Sequence, residues 1–373
     1  MHKSRKTLLA VLAAGALALS ACSGGVVQQG GSGGGDGDVI ELTVASMQPA
    51  GTPNHEPVRW ILDTIEERSD KVKFNRTAPE ALCPAAEIVN CVVDGRADLG
   101  TAVTSYTPQL FPDDGLVGIP YQAQDSQAIT AALHELATND PQVSALYEKN
   151  GLKQLINWTA GRMWVGTKQP VEKVSDLAGL PIRATGAGPQ ALIQAAGANP
   201  VALPTPEVYE SLERNVIQGA GYSMDGVVNY KFMEQLEYWT DLGSGHYTTF
   251  AFWMNPAKYE GLPDDVKTVF DEVIAEANAG ESLKAFNALV DEQGLCKQMQ
   301  DGGVSLTMLP EAEQTALKDA IGTKVIDAWS DSASKAGIED PDALFDRYVE
   351  LIESGSNSGI ADTGAACMDA FTN

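Results

Sequence analysis

Two hydrophobic periods alternate between residues 41 and 103, and this alternation constrains the fold more than any other feature of the chain. The alternating apolar and polar residues of a strand give way to the three-to-four-residue spacing of a helix, and then return. Strands are predicted over 41–46, 71–77 and 97–103, and helices over 57–68 and 85–94. This order predicts an α/β fold with a mostly parallel sheet and helices on both faces.

A second series of strands and helices follows. Strands are predicted over 154–159, 163–167, 180–184, 219–224 and 246–255, and helices over 126–150 (interrupted near Pro141), over 189–196, and from a capping Thr205 with Pro206 in the first turn. A long helix is predicted from Pro263 onward, with a break into two helices at Gly280 as the alternative. Because 373 residues exceed what one core supports, we expect two lobes.

The N-terminus has the pattern of an export signal. Residues 1–21 begin with Lys3, Arg5 and Lys6 and continue with an apolar run too short to span a membrane. The segment Leu19-Ser-Ala-Cys22 is typical of a lipoprotein signal, which predicts cleavage before Cys22, a lipid anchor on its sulfur, and a position on the outer face of the cell membrane. An ordinary signal with a chance cysteine is the alternative. Residues 22–38 are predicted to be a flexible linker.

The charge balance excludes one class of partner. The chain has 50 acidic against 25 basic residues, a formal charge of −25. Nucleic acids require a basic face, so none is expected as a partner. The charge says little about small anionic ligands, because local charges in a cleft can oppose the global field.

Four cysteines remain after Cys22, and an even number in an exported chain indicates disulfides. Of the three possible pairings we favour Cys83–Cys91, which closes a short loop, and Cys296–Cys367, which fixes the C-terminal tail. Metal binding is the competing interpretation. No Cys-x-x-Cys pair is present and the histidines are scattered, so we expect neither a metal nor a cofactor.

Arg183 is the strongest candidate for a functional residue. It ends a short apolar run and precedes a glycine-rich turn, so its guanidinium is expected at the end of a strand. Open α/β folds bind ligands at that edge of the sheet. A guanidinium presents a rigid pair of donors that matches a carboxylate, which lysine does not. An ion pair with one of the many acidic residues is the alternative.

Four segments together resemble one protein family. They are Val92–Gly100, Ser175–Arg183 (Ser-Asp-Leu-Ala-Gly-Leu-Pro-Ile-Arg), Pro206–Gly219 and Met254–Asp265. In this order, they resemble the extracytoplasmic solute-binding proteins of TRAP transporters, the DctP type. The resemblance implies a two-lobed fold like that of periplasmic binding proteins, with a ligand cleft between the lobes and a long helix spanning both.

The resemblance also implies lobe boundaries and a function. Lobe I is expected over 39–160 plus about 247–290, and lobe II over 161–246 plus about 291–373, with crossings near Ala160 and His246. The function implied is capture of a small organic acid by hinge closure and its delivery to integral-membrane TRAP permease subunits. Such a protein is a binding protein and not an enzyme.

Several residues occupy positions that line the cleft in this family. Arg183 matches the arginine that pairs with the ligand carboxylate. Arg162 lies where many members have a second arginine, with a surface arginine as the alternative, and Tyr222 lies where the family often has Asn or Gly. The remaining candidates are loop residues at strand ends, Asn54, His55, Ser105 and Tyr106. Trp164 and Phe250 are candidates for apolar walls, with burial in the core as the alternative.

Three other functions compete with this interpretation. The binding protein of an ATP-driven transporter would share the two-lobed form, and the segment Met254–Asp265 is the main discriminator against it. An exported enzyme acting on a small acid would need a catalytic motif, and neither Gly-x-Ser-x-Gly nor His-Glu-x-x-His occurs. A lipid-anchored sensor would use the same ligand site.

Overall fold

The computed structural model describes residues 39–122, 124–355 and 359–372, so the predicted signal, Cys22 and the linker lie outside the described residues. The strands are β1 Ile40–Ser46, β2 Val72–Arg76, β3 Leu99–Val103, β4 Lys153–Thr159, β5 Arg162–Thr167, β6 Pro181–Arg183, β7 Asn199–Val201, β8 Gly219–Tyr222, β9 Tyr238–His246, β10 Thr249–Met254 and β11 Ser305–Met308.

Helices connect and cover these strands. The first eight are α1 Glu56–Arg68, α2 Ile88–Val93, α3 Pro112–Gly115, α4 Ser126–Asn139, α5 Pro141–Lys149, α6 Ala187–Ala195, α7 Thr205–Glu213 and α8 Met224–Asn229. The others are α9 Pro256–Glu260, α10 Asp264–Glu276, α11 Ser282–Gln293, α12 Leu295–Asp301, α13 Glu311–Ile321, α14 Lys324–Ala336, α15 Pro341–Gly355 and α16 Thr363–Thr372. In the part of the chain described, no helix has the length and apolar character needed to cross a membrane.

The first sheet has the strand order β2-β1-β3-β10-β4. Strand β1 pairs in parallel with β2 and β3, as the β-α-β-α-β pattern predicts, while β10 runs antiparallel to both β3 and β4. Helix α1 buries Ile61, Leu62 and Ile65. The prediction of a mostly parallel sheet is therefore confirmed, because β1, β2, β3 and β4 run in the same direction and a later segment inserts β10 between β3 and β4 in the opposite one.

The second sheet has the order β11-β9-β5-β8-β6-β7. Strand β6 is parallel to β7 and β8, whereas β5 is antiparallel to β8 and β9. We call each sheet with the helices packed on it a lobe, the first and the second. The parallel pairing of β6 and β8 brings Arg183 beside Ala220, so the carboxyl ends of the two strands open at the same edge.

The predicted strand over 246–255 is wrong at its start. Strand β9 ends at His246 in the second sheet and β10 begins at Thr249 in the first, so Tyr247 and Thr248 carry the chain between the lobes. Strand β9 itself was not predicted. Its Gly243 and Gly245 adopt positive φ values of 75° and 85°, and glycine weakens the strand pattern in a sequence.

The long helix spans both lobes, but it is not a single uninterrupted helix. Phe270 in α10 packs edge-on against Phe74 of β2 at 6.1 Å, and Phe286 in α11 lies in the apolar cluster around Trp164 of the second sheet. Between α10 and α11, residues 277–281 form a wider turn in which Gly280 has φ 120°. A side chain at position 280 would also approach Ile360 to 2.7 Å. The break at Gly280 follows from this backbone conformation, which favours glycine.

Two disulfides join the cysteine pairs that were predicted. Cys83 is bonded to Cys91 in α2, and Cys296 in α12 is bonded to Cys367 in α16. Helix α15 packs on α4, which covers β4 of the first sheet. The predicted lobe boundaries, including the assignment of residues 291–373 to the second lobe, stay a prediction.

A pair of adjacent buried carboxylates lies beside the crossing segment. Burial raises the pKa of Asp113 to about 6 and raises the pKa of Asp114 well above its usual range. Hydrogen bonds from Asn157 (2.6 Å) and Thr249 (2.7 Å) reach Asp114, and Tyr147 donates to Asp113 at 3.1 Å. These bonds fix α3 and α5 to β4 and β10, directly after the point where the chain enters the first lobe.

Candidate functional site

A narrow cavity lies between the two sheets, at the carboxyl ends of several strands. Residues that end or follow β3, β4, β6 and β8 line it together with the crossing segment. The lining residues are Asn54, Val103, Ala160, Arg183, Thr185, Thr205, Tyr222, Ser223, Asp225, Tyr230, Tyr247, Thr248 and Phe250. This is the edge at which α/β folds bind ligands.

Arg183 lies at the carboxyl end of β6, as predicted, and its side chain is buried in this cavity. It is only 2% exposed. Its Nε donates to the carbonyl of Leu203 and its Nη1 to that of Gly221, both at 3.1 Å, and the guanidinium carbon lies 4.5 Å from the ring centre of Tyr222. Among the residues that the structure describes, no carboxylate forms an ion pair with it. A buried cation held by neutral groups alone is costly, so the arrangement favours an anionic ligand.

Hydroxyl groups surround the guanidinium. The hydroxyl of Thr205 is hydrogen-bonded to those of Tyr222 and Tyr106, and the backbone N–H of Thr205 donates to Tyr106 at 2.9 Å. The predicted capping role of Thr205 is therefore wrong, because α7 begins at Thr205 itself after Pro204, and the hydroxyl turns toward the cavity. Thr185 is 5% exposed, and its hydroxyl has no hydrogen-bond partner among the described residues.

The tyrosines of the cavity are neutral hydroxyl groups at physiological pH. Burial raises the pKa of Tyr222 well above its usual range, although the nearby Arg183 guanidinium opposes the shift. Burial also raises the pKa of Tyr247 to about 12. Both side chains can donate a hydrogen bond to an anion without adding negative charge to the cavity.

The acidic side chain of the cavity belongs to Asp225, in the first turn of α8. The hydroxyl of Ser223 donates to its Oδ1 and the side-chain amide of Asn54 to its Oδ2, each at 2.6 Å. Burial raises the pKa of Asp225, and these two hydrogen bonds oppose the shift. Because Asn54 belongs to the first lobe and Asp225 to the second, this contact crosses the cleft.

Of the nine predicted binding residues, Arg183, Tyr222, Asn54 and Phe250 line this cavity. Tyr106 reaches it indirectly through Thr205, and Ser105 accepts a hydrogen bond from Thr248 at 3.1 Å. The structure therefore brings candidates from both lobes to one place.

Three predicted residues lie elsewhere. The Nε and Nη2 of Arg162 donate to Asp241 of β9 at 3.2 and 3.0 Å, and its Nη1 donates to Gln124, so this guanidinium is already paired within the protein. Trp164 is fully buried in the apolar cluster of the second lobe. His55 follows Asn54 in a short 3-10 turn, outside the lining residues.

Nine of the thirteen lining residues were not among the predicted binding residues. Thr185, Ser223 and Asp225 follow strand ends by one to three positions, and Tyr247 lies in the crossing segment. Their position just after a strand could have indicated the site. The chain has many acidic and hydroxyl residues, however, and this position did not single out these four. In the described part of the chain, no group of three or more His, Cys, Asp or Glu side chains is placed to hold a metal ion.

Comparison with known proteins identifies the fold and the family. Residues 44–331 match the family described as bacterial extracellular solute-binding protein, family 7. The 2,3-diketo-L-gulonate-binding periplasmic protein of Escherichia coli is 25% identical over 279 residues, which cover 74% of this chain and 82% of the relative. The ectoine/5-hydroxyectoine-binding periplasmic protein of Ruegeria pomeroyi is 28% identical over 67% of this chain and 75% of its own length.

Solved structures support the same fold and family. A TRAP periplasmic solute-binding protein from Desulfovibrio salexigens is 26% identical, with a TM-score of 0.71 over 86% of this chain and 97% of that chain. A TRAP solute-binding protein from Rhodoferax ferrireducens, solved with copurified benzoate, shares the fold at 19% identity, with a TM-score of 0.77 over 86% of this chain and 100% of that chain. This chain belongs to bacterial extracellular solute-binding protein family 7, the DctP family of TRAP transporter solute-binding proteins.

Proposed function

We propose that this protein captures a small organic acid between its two lobes, outside the cytoplasm, and delivers it to a TRAP-type membrane permease. The observation that carries the proposal is the buried Arg183 guanidinium, which has neutral partners and lines a cavity between the lobes. An ionised carboxylate would neutralise this charge and accept charge-assisted hydrogen bonds from it. Members of the family are binding proteins, so we propose binding without chemical conversion.

The walls of the cavity support a small acid with apolar surface. Tyr222, Tyr230 and Phe250 provide aromatic surface, and Arg183 provides the positive charge. Proteins of the same fold were solved with benzoate, with mandelate and with orotic acid, each of which carries one carboxylate. These ligands support a small acid as the class that this site takes.

Hinge closure is the motion that we propose for capture. The chain crosses between the sheets at Ala160–Gly161 and at Tyr247–Thr248, which are short enough to act as hinges. In the closed form, Asn54 meets Asp225 and Tyr106 meets Thr205 across the cleft. An acid on Arg183 would be enclosed by these contacts, and the closed surface would be the one recognised by the permease subunits.

A lipid anchor at Cys22 is part of the proposal. The signal pattern in residues 1–21 and the Gly- and Ser-rich residues 22–38 support a binding protein that is tethered to the outer face of the cell membrane. A tether of this kind would keep the protein close to its membrane partner.

A thermal-shift screen of organic acids and their methyl esters tests the proposal. We expect at least one acid to raise the unfolding temperature, because a ligand at 100 times its Kd stabilises the folded state by about 2.7 kcal/mol. Its methyl ester, which has the same shape without the negative charge, is expected to give no shift. The proposal fails if no acid in a broad library stabilises the protein, or if the ester stabilises it as much as the acid.

A further inference from the structure

The charges that line the cavity are balanced before any ligand enters. Of the lining side chains, Arg183 is the cation and Asp225 the anion, and the tyrosines are neutral. Arg183 is 2% exposed and Asp225 is 5% exposed, and the two side chains do not pair with each other. A ligand that carries net charge would therefore leave an uncompensated charge in a buried space, which is costly.

Opposite the arginine, the cavity has an acceptor corner formed by Asn54 and Asp225. The amide NH₂ of Asn54 donates to the carboxylate of Asp225, which fixes the orientation of the amide, because an ionised carboxylate only accepts. The carbonyl oxygen of Asn54 is then an acceptor, and it is buried with no hydrogen-bond partner among the described residues. Asn54 is itself only 2% exposed. Buried polar atoms normally have a hydrogen-bond partner, so we expect a ligand to supply a donor to this oxygen.

Asp225 adds a second acceptor to the same corner. Its oxygens accept hydrogen bonds from the side chains of Ser223 and Asn54, and backbone N–H groups of Gly226 and of Asp225 itself also favour the ionised form. No cationic side chain among the described residues pairs with it. The corner thus combines a buried negative charge with a carbonyl oxygen that lacks a hydrogen-bond donor. These are the groups that bind a protonated nitrogen.

We propose that the ligand is a zwitterion, whose carboxylate binds Arg183 and whose protonated nitrogen binds the acceptor corner of Asn54 and Asp225. This inference rests on the proposed function and names the class of acid. A zwitterion keeps the buried charge at zero, whereas a hydroxy acid leaves one negative charge unpaired and a dicarboxylate leaves two.

Calorimetry with matched probes tests this inference on the mature protein. Within each of three sets, the compounds differ in one group, which is an amine, a hydroxyl or hydrogen. The sets differ in the distance of that group from the carboxylate. They are alanine, lactate and propionate; β-alanine, 3-hydroxypropionate and propionate; and 4-aminobutyrate, 4-hydroxybutyrate and butyrate. In the set that fits best, we expect the amino acid to bind at least tenfold more tightly than the other two members. Succinate is expected to bind more weakly than that amino acid.

The variant Asp225→Asn removes the negative charge and keeps the shape of the side chain. It is expected to weaken binding of the amino acid at least tenfold and to leave binding of the unsubstituted acid equal or tighter. Asp264→Asn, at an exposed acid in α10, is the matched control and is expected to change no affinity. If Asp225→Asn does not fold, the ranking of the probes on the unmodified protein still decides the question.

The outcomes separate this inference from the proposed function. Two results would contradict the zwitterion proposal and leave the organic-acid function standing. In the first, acids bind through Arg183 but the hydroxy or unsubstituted member binds as tightly as the amino acid. In the second, the screen finds only acids without a protonated nitrogen. If no carboxylate binds, or if Arg183→Ala leaves the affinity unchanged, the proposed function itself fails. Tight binding of an amino acid that depends on both Arg183 and Asp225 supports both.

Discussion

Replacing Arg183 with alanine is expected to lower the affinity for the acid ligand about 100-fold or more. Each charge-assisted hydrogen bond contributes about 1.5–3 kcal/mol, and a guanidinium forms two of them with a carboxylate. Since about 1.4 kcal/mol corresponds to a factor of ten in Kd, the loss of two bonds reaches this range even at the lower estimate. Calorimetric titration of the purified variant with the acid found by thermal shift measures the effect.

Two further variants control this experiment. Arg183→Lys keeps the charge but not the paired donors, so we expect an intermediate loss of about tenfold. Arg214→Ala removes an exposed arginine whose ion-pair partner is Glu210, one turn earlier near the end of α7, and should leave the affinity unchanged. Equal affinities for Arg183→Ala and the unmodified protein would remove Arg183 from the site.

Substitution of Gly188 by alanine is expected to lower the free energy of unfolding by about 3 kcal/mol, at the upper end of what overpacking usually costs. Gly188 is the second residue of α6, and its backbone packs directly against that of Gly118. A Cβ atom at position 188 would overlap with the carbonyl oxygen of Gly118. Because that atom belongs to the backbone, no side-chain rotation relieves the clash and the two segments must separate.

Urea unfolding of Gly188→Ala measures this loss. Gly355→Ala is a suitable control, because a Cβ atom there meets Ala128 at an ordinary 3.5 Å and alanine is the better helix former. We expect this control to be as stable as the unmodified protein. A Gly188→Ala variant with the same urea midpoint would mean that the close approach of α6 and residues 116–118 is not required for folding.

The parts of the fold that depend on local pattern could be predicted from the sequence. The series β1-α1-β2-α2-β3 follows the hydrophobic periods, and Arg183 lies at a strand end because a short apolar run precedes a turn. The disulfide pairing also agreed with the structure, since one pair closes a short loop and the other fixes the tail. Except for Cys296–Cys367, whose partners are 71 residues apart, residues close in sequence carried the information.

The parts that depend on tertiary contacts could not be predicted in this way. Strand β9 contains two glycines with positive φ and is stabilised by its neighbours β5 and β11 and not by its own propensity. Arg162 was predicted as a ligand contact, which stays a prediction, whereas its pairing with Asp241 of β9, 79 residues away, was not predicted. Such a pairing cannot be predicted from the local sequence, because the two residues meet only in the folded sheet.

Asp225 shows the same limit within the site. It is one of 50 acidic residues, and its position just after a strand does not by itself separate it from the exposed ones. Its importance follows from burial, from the hydrogen bond to Asn54, 171 residues away, and from the position of both side chains on the cavity that holds Arg183. The arginine could be found from its strand end, whereas its acidic counterpart required the assembled lobes.

The crystal structure of the protein with its bound acid is the most direct test of the account. We predict a carboxylate oxygen of the ligand within about 2.7–2.9 Å of a guanidinium nitrogen of Arg183, with side chains of both lobes around it. A ligand carboxylate bound away from Arg183, with the guanidinium still held only by the carbonyls of Leu203 and Gly221, would contradict the account.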